Sequence, residues 1–119
     1  MNNDLARLME ENLRRVWSER NADSRRKALE GIYAKDSTLF EVGEMVSGYD
    51  AINEKVSNIV NAMPAEFIFT RLKPTIINNN VGRLIWGIGP KGQPPVATGM
   101  DLAVFENGRI KSLYVFLDN

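Results

Sequence analysis

The two amino acids that most often supply reactive side chains are missing from this chain. Its 119 residues include no cysteine and no histidine. The absence of cysteine excludes disulfides, thiol nucleophiles and thiolate metal sites, and the absence of histidine excludes imidazole acid–base chemistry and most zinc sites. Any catalysis would therefore use carboxylates, phenols, lysine, arginine, hydroxyls or backbone groups. We expect neither a metal ion nor a cofactor.

The chain also lacks an excess of charge of either sign. It has 15 basic and 15 acidic residues, which gives no electrostatic reason to expect nucleic acid or an anionic membrane as a partner. The N-terminal stretch "MNNDLARLMEENLRRVW" is charged throughout, unlike a signal peptide or a membrane span. We therefore expect a cytoplasmic protein, and the length predicts a single domain over residues 1–119.

Hydrophobic periodicity predicts helices first and strands afterwards. One helix is expected to end near Asn21, a second to run from about Ser24 to Tyr33, and a third to begin at a capping box formed by Ser47 and Asp50. "STLFEV" alternates like a strand before the third helix. The later β runs are "AEFIFTRL", "TIINN", "VGRLIWGIG", "PVATGMDLAVFE" and "RIKSLYVFLD". This order predicts an α+β domain with an antiparallel sheet.

The segment "ENGR", residues 106–109, is the strongest local signal in the chain. Asn107-Gly108 between two β runs predicts a two-residue type I′ hairpin turn, which fixes the register of the two strands. Asp101 is then expected opposite Tyr114, and Gly99 opposite Phe116. These residues would share one face of the hairpin, and the other face would be almost entirely aliphatic.

Asp101 stands out because it lies among apolar residues, where an unpaired charge is costly. Its small neighbours on the same face, Gly99 and Ala103, would leave room for a ligand beside the carboxylate. We interpret Asp101 as the carboxylate of a pocket. Two alternatives stay open: an exposed edge residue, or a structural carboxylate satisfied by Arg83 or by backbone amides. The aliphatic face is expected to form a homodimer interface.

Several segments in this order carry a resemblance that covers nearly the whole chain: "IYAKDSTLFE", "SGYDAI", "GRLIWGIGP", "TGMDLAVFENGRI" and "LYVFLD". They resemble the SnoaL-like branch of the nuclear transport factor 2-like superfamily, which also contains ketosteroid isomerase, limonene-epoxide hydrolase and scytalone dehydratase. The resemblance implies a cone, in which a strongly curved antiparallel sheet wraps around the N-terminal helices and encloses an apolar pocket. It also implies dimers formed through the outer sheet face.

The resemblance further implies roles for individual residues. Asp101 matches the strand aspartate that ketosteroid isomerase keeps protonated as an oxyanion donor. Glu41 falls where the isomerase has its proton-shuttling aspartate, and Tyr33 matches a supporting tyrosine. The oxyanion tyrosine of the isomerase falls at Val16 or Trp17, so this chain departs from the isomerase pattern there. An indole donates a hydrogen bond but is not an acidic phenol.

The remaining candidates are open to more than one interpretation. Glu41 shares a strand face with Leu39, and the opposite face is the more apolar one, so both a solvent-facing and a pocket-facing Glu41 fit the pattern. Trp86 fits a pocket wall or a core position, and Trp17 fits a core position or a ligand contact. Arg83 and Trp86 must lie on opposite faces of their strand because their separation is odd. The sequence does not say which of them accompanies Asp101.

Together these patterns predict a dimeric cone that binds a small, mainly apolar organic molecule. As an enzyme it would be a cofactor-free isomerase or lyase, with Asp101 as general acid–base or oxyanion donor and Glu41 as its partner. The alternative is a non-catalytic ligand-binding or interaction domain of the same fold. The expected ligand contacts are Trp86, Tyr114, Tyr33, Trp17, Phe116 and Arg83.

Overall fold

The structure, a computed structural model, describes residues 2–118, with side chains from residue 4 onward. Its helices are α1 (Asn2–Asn12), which continues into a π-helical turn (Leu13–Trp17), α2 (Ala22–Ile32) and α3 (Tyr49–Asn61). Its strands are β1 (Tyr33–Glu41), β2 (Glu44–Ser47), β3 (Phe67–Arg71), β4 (Ile76–Asn78), β5 (Val81–Pro90), β6 (Ala97–Glu106) and β7 (Arg109–Leu117).

The strands form one open sheet in the order β2-β1-β7-β6-β5-β3, with β4 also pairing with β5. The predicted α+β class is confirmed. One pair differs from the predicted antiparallel pattern, because β1 runs parallel to β7. The two strands lie far apart in the sequence, so no hairpin turn forces them to run antiparallel. The other pairs are antiparallel.

The three helices cover one face of the sheet, which we call the inner face. The apolar core lies between this face and the helices and includes a buried tyrosine and two buried tryptophans. The opposite, outer face has no cover within the described residues. Core side chains come from the helices (Met9, Leu13, Val16, Trp17, Ala28, Leu29, Ile32, Ile52, Val56 and Val60) and from the sheet (Tyr33, Leu39, Leu84, Trp86, Ala103, Phe105, Ile110 and Leu113).

The first helix ends earlier than predicted, and its last turn is a π-helix. The Ser18 N–H donates to the Leu13 carbonyl oxygen at 3.0 Å, a bond that spans five residues. This wider turn buries Leu13, Val16 and Trp17 together. Asn21, the predicted end of the first helix, instead caps α2: its Oδ1 accepts a hydrogen bond from the Ser24 N–H at 2.9 Å.

The predicted capping box of the third helix is wrong. Ser47 belongs to the short strand β2, and its hydroxyl bonds to the Thr38 hydroxyl at 2.8 Å. Gly48 precedes the helix with a φ of 87°, a conformation that glycine adopts without strain. The short strand β2 was not predicted, because its four residues are mostly exposed and show no strand-like apolar alternation.

Two arginines that the sequence analysis did not single out hold the helices in place. Arg25 is fully buried, and its guanidinium donates to the carbonyl oxygen of Glu19 and to the side chains of Asn53 and Ser57. Arg20 donates to the Val60 carbonyl oxygen at 2.7 Å, and so satisfies a free carbonyl at the end of α3. Together they tie the segment after the π-helical turn to α3.

The β6–β7 hairpin has the predicted turn but not the predicted register. Asn107 and Gly108 have φ values of 53° and 75°, as a type I′ turn requires. The register then shifts: Phe105 pairs with Ile110, but Val104 pairs with Ser112, so β7 has one extra residue at a β-bulge. A shift of one residue moves every later β7 side chain to the other face.

The bulge overturns the predicted face of Tyr114 and Phe116. Asp101 pairs with Val115, and Gly99 with Leu117. Tyr114 lies on the outer face, where its ring stacks on Phe40 with centroids 4.4 Å apart.

Within the described chain, no helix is long and apolar enough to cross a membrane.

Candidate functional site

An apolar cavity of about 150 Å³ lies between the helices and the inner face of the sheet. A cavity of about this size in a protein core accommodates benzene. The π-helical turn, the end of α3 and five of the strands supply its wall, and Asp101 and Glu41 are the two acidic side chains in its lining. The lining residues are Leu13, Trp17, Glu41, Ile59, Met63, Phe69, Trp86, Ile88, Asp101, Val115 and Leu117.

Asp101 is the buried carboxyl of this cavity, and its side chain is 3% exposed. It lies in the middle of β6 between Leu84 of β5 and Val115 of β7. Burial raises the pKa of Asp101 to about 7, and a hydrogen bond from Trp86 partly opposes that shift. No ion pair formed within residues 4–118 includes Asp101. Both protonation states are therefore populated near neutral pH.

Trp86, not Arg83, accompanies Asp101. The Trp86 indole N–H donates to Asp101 Oδ1 at 2.8 Å. Gly99 pairs with Trp86 across the strands, and a Cβ at Gly99 would clash with the Trp86 ring. The space that a small residue leaves beside Asp101 is thus filled by this ring. Arg83 is exposed and pairs with Leu102, so the interpretations that bring Arg83 to Asp101 are wrong.

Tyr33 lies beside the cavity but does not line it. Its buried hydroxyl donates to Asn12 Oδ1 at 2.7 Å. Burial raises the pKa of Tyr33 well above its ordinary value, and the negative charge of Asp101 adds to this shift. Tyr33 is therefore a neutral phenol close to the carboxyl. The buried Asn12, whose side chain accepts this hydrogen bond, was not predicted. The apolar residues of the helix mark its inner side, and a polar residue buried among them has no sequence signal of its own.

Trp17 lines the cavity from the π-helical turn. Its ring meets Phe69 edge to face, with centroids 5.7 Å apart, and Phe69 meets Trp86 in the same way at 5.3 Å. The Trp17 indole N–H is buried and lies toward the Tyr33 hydroxyl, without the geometry of a full hydrogen bond to any group in the described part of the chain. The two cavity tryptophans thus differ: Trp86 donates to Asp101, and Trp17 does not.

Glu41 also lines the cavity, so its pocket-facing interpretation is the one that the geometry fits. Its side chain is 27% exposed, and Oε1 lies 3.4 Å from the Lys55 ammonium on α3. Lys55 also binds Glu44, and this hydrogen bond is the largest cause of its raised pKa. The opposite face of β1 is the outer one, where Phe40 packs against Tyr114.

The structure therefore brings together only part of the predicted set. Asp101, Glu41, Trp86 and Trp17 line one cavity, and Tyr33 lies behind its wall. Arg83, Tyr114 and Phe116 do not line it. In the described chain, no three histidine, cysteine, aspartate or glutamate side chains are grouped so as to hold a metal ion.

The apolar walls of the cavity were largely missed. Phe69 and Ile88 lie on the paired strands β3 and β5, and the alternation of those strands alone does not say which face turns inward. Ile59 and Met63 are four residues apart at the end of α3 and just beyond it, so helical spacing could have identified this wall. Val115 was missed because of the bulge in β7.

Solved structures with the same fold are numerous, although no protein-family profile and no curated protein sequence matches the chain. A candidate isomerase of the SnoaL-like family from Agrobacterium tumefaciens str. C58 is 19% identical, with a TM-score of 0.87 over 98% of this chain and 99% of that chain. A candidate SnoaL-like polyketide cyclase from Jannaschia sp. CCS1 is 11% identical, with a TM-score of 0.80 over 98% of this chain and 87% of that chain.

A third similar structure is a candidate ketosteroid isomerase from Kribbella flavida DSM 17836. It is 9% identical, with a TM-score of 0.74 over 99% of this chain and 80% of that chain. The chain thus has the same α+β fold as these structures, and the predicted resemblance is confirmed for the fold. Fold likeness at these identities does not assign an activity.

Proposed function

We propose that this protein binds a small, neutral, mainly apolar organic molecule in its cavity and acts on it as a cofactor-independent isomerase or lyase. The observation that carries the proposal is the state of Asp101. A carboxyl without a cationic partner lies in an apolar cavity with its pKa at about 7. Buried titratable groups perturbed in this way are typical of sites that move protons.

The size and charge of the cavity narrow the ligand class. A volume of about 150 Å³ suits a molecule of about one ring. The lining includes two carboxyl side chains and no cationic side chain, which disfavours an anionic ligand. A neutral cyclic carbonyl compound satisfies both conditions, because its oxygen can accept a hydrogen bond from a protonated Asp101.

The two carboxyls have complementary roles in this proposal. Protonated Asp101 donates to the carbonyl oxygen and stabilises the charge that develops there when a proton leaves the adjacent carbon. Glu41 takes that proton as a carboxylate and returns it to the same or another carbon. The neighbouring structures named as candidate isomerases and a candidate polyketide cyclase are consistent with chemistry of this kind.

One observation favours a second candidate, a non-catalytic binding domain. The carboxylate of Glu41 already lies 3.4 Å from the Lys55 ammonium, so a proton taken from a ligand would have to compete with this ion pair. In such a protein Asp101 would only orient a ligand. The two candidates predict different results for proton transfer.

Proton exchange of cyclohexanone distinguishes the candidates. We expect the protein to accelerate exchange of the hydrogens next to the carbonyl in D2O, followed by NMR. We expect Asp101→Leu, which removes the hydrogen-bond donor, to abolish the acceleration, and Asp101→Asn, whose amide donates less strongly than a carboxylic acid, to reduce it while retaining binding. Binding is measured by NMR line broadening of the same ketone. Binding without accelerated exchange would support the non-catalytic domain, and absence of binding would contradict both candidates. Val42→Ser, in an exposed turn, is the matched control.

We also propose that the outer face of the hairpin forms a homodimer interface. This face carries Met100, Leu102, Tyr114 and Phe116, and Phe116 is 43% exposed. Exposed apolar surface of this kind is typical of interfaces. Sedimentation velocity at micromolar concentration should give a dimer that Phe116→Arg dissociates and Val42→Arg does not. A monomeric wild-type protein would contradict the proposal.

A further inference from the structure

We propose that Trp86 is a positioning residue for Asp101. Its indole N–H donates a hydrogen bond to Oδ1, and the carboxyl proton therefore lies on Oδ2. Oδ2 is then the oxygen that contacts the ligand. What Oδ2 does for a ligand rests on the proposed function. The placement of the proton itself can be measured in the ligand-free protein.

The hydrogen bond between Trp86 and Asp101 has a fixed direction. An indole N–H can only donate, so Oδ1 must accept at the observed distance of 2.8 Å. In a protonated carboxyl group, the oxygen without the proton is the better acceptor. Protonation of Oδ1 would weaken the bond to Trp86, whereas protonation of Oδ2 preserves it. The bond therefore selects Oδ2 as the site of the proton.

Oδ2 has different surroundings. Within residues 4–118, no side chain or backbone group is hydrogen-bonded to Oδ2. Asp101 lines the apolar cavity, so this oxygen is the one left for a ligand atom. A protonated Oδ2 that is held in one direction can donate to the ligand's carbonyl oxygen at one position. It disfavours other positions of the ligand.

The Trp86 side chain is rigid. The side chain is buried, packs edge to face on Phe69 and fills the space above Gly99. A side chain at residue 99 would displace the ring, so the glycine is needed for the indole to reach Asp101 on the neighbouring strand. A donor whose rotamer is fixed by its packing can hold the carboxyl in one orientation.

Other titratable groups near Asp101 are few. Tyr33 approaches from the start of β1, and Glu41, with Lys55 behind it on α3, lies at the end of β1. From the π-helical turn, β3, β5 and β7 the cavity receives apolar or uncharged side chains. A large change in carboxyl chemical shift near pH 7 should therefore belong to Asp101. The chemical shift of the Trp86 indole N–H, its hydrogen-bond partner, should change with it.

The experiment uses NMR of the ligand-free protein with ¹³C-labelled aspartate carboxyls and ¹⁵N-labelled tryptophan indoles, titrated from acid to alkaline pH. Asp101→Asn assigns the Asp101 carboxyl signal. We expect the Trp86 indole N–H signal to shift with the same midpoint as the Asp101 carboxyl. The Trp17 indole, whose N–H is not bonded to Asp101, should show little change at that midpoint. This comparison needs no variant of either tryptophan.

Variants provide a second readout. Trp86→Phe keeps an aromatic ring but removes the donor, and should raise the Asp101 midpoint by about one pH unit, because a hydrogen bond to the carboxylate is lost. Trp17→Phe is the matched control in the same cavity and should leave the midpoint unchanged. If the Trp86 indole does not follow Asp101, or if Trp86→Phe leaves the midpoint unchanged or lowers it, the positioning role is wrong.

The result is separable from the proposed function. Coupled titration of Trp86 and Asp101 without cyclohexanone exchange would support the positioning role and contradict the catalytic proposal. Accelerated exchange without coupled titration would support catalysis and overturn the role of Trp86.

Discussion

Asp101 and Glu41 line the same cavity and have opposite surroundings. Asp101 is almost fully buried, has no cationic partner and receives one hydrogen bond from an indole. Glu41 is partly exposed and lies beside the Lys55 ammonium. Burial without a cation favours the protonated form of a carboxyl, and an adjacent cation favours the ionised form. Asp and Glu carry the same carboxyl group, so their surroundings decide which one is suited to act as an acid and which one as a base.

The difference arises from position in the sheet. Asp101 lies mid-strand with β5 on one side and β7 on the other, and the helices cover its face. Glu41 is the last residue of β1, next to the turn into β2, where α3 brings Lys55 within reach. The comparison can be tested by changing each carboxyl and each of its partners.

The largest effect is expected from the pH dependence of stability. The pKa of Asp101 is raised to about 7 in the folded state, so folded protein binds the proton more tightly than unfolded chain. The contribution of Asp101 to the free energy of unfolding should therefore be fully present below about pH 4 and be lost, by up to about 4 kcal/mol, as pH rises through 7. Urea unfolding of wild type and Asp101→Asn across this range measures the difference.

The exposed Asp36 provides the control for that experiment. Lys111 lowers the pKa of Asp36 through a hydrogen bond, so Asp36→Asn should not remove the fall in stability between about pH 4 and 7. A wild-type protein whose stability differs from that of Asp101→Asn by the same amount at every pH would show that Asp101 titrates normally.

The next effect concerns Glu41 as the base of the proposed reaction. Glu41→Gln should reduce cyclohexanone exchange by about 100-fold, because general base catalysis contributes on that order, and should leave binding of the ketone unchanged. The matched variant is Glu44→Gln, which removes the other carboxylate on Lys55 but does not line the cavity. Equal exchange rates in Glu41→Gln and wild type would assign the base elsewhere.

Gly99→Ala tests the packing that keeps Trp86 beside Asp101. The added Cβ would clash with the Trp86 ring and with the backbone oxygen of Phe116, and overpacking of this kind costs about 2 kcal/mol. Chemical denaturation measures the loss. Gly31→Ala in α2, where the added Cβ meets open space, should be neutral or stabilising. Equal stabilities of the two alanine variants would contradict the close contact at Gly99.

The smallest effect is expected at Lys55. Its ion pairs with Glu41 and Glu44 are partly exposed, so Lys55→Met should change the free energy of unfolding very little. Chemical denaturation of Lys55→Met and wild type measures the difference. A loss of stability as large as that of Gly99→Ala would contradict a minor role for these ion pairs.

The sequence was sufficient for the α+β class, the type I′ turn and the burial of Asp101 among apolar residues, because each depends on local pattern. It was not sufficient for the register beyond the turn. A bulge adds one residue without a composition signal of its own, and this moved Tyr114 and Phe116 to the outer face. The bond between Trp86 and Asp101 was also out of reach, because the irregular loop between β5 and β6 left their pairing undefined.

The buried state of Asp101 is the central claim, and its pKa in the wild-type protein tests it most directly. The measurement is the ¹³C chemical shift of the Asp101 carboxyl as a function of pH, assigned with Asp101→Asn. A buried carboxyl without a cationic partner should titrate with a midpoint at about 7. A midpoint near the ordinary aspartate value of about 4 would mean that the carboxyl is solvated or paired with a cation, and would contradict the account.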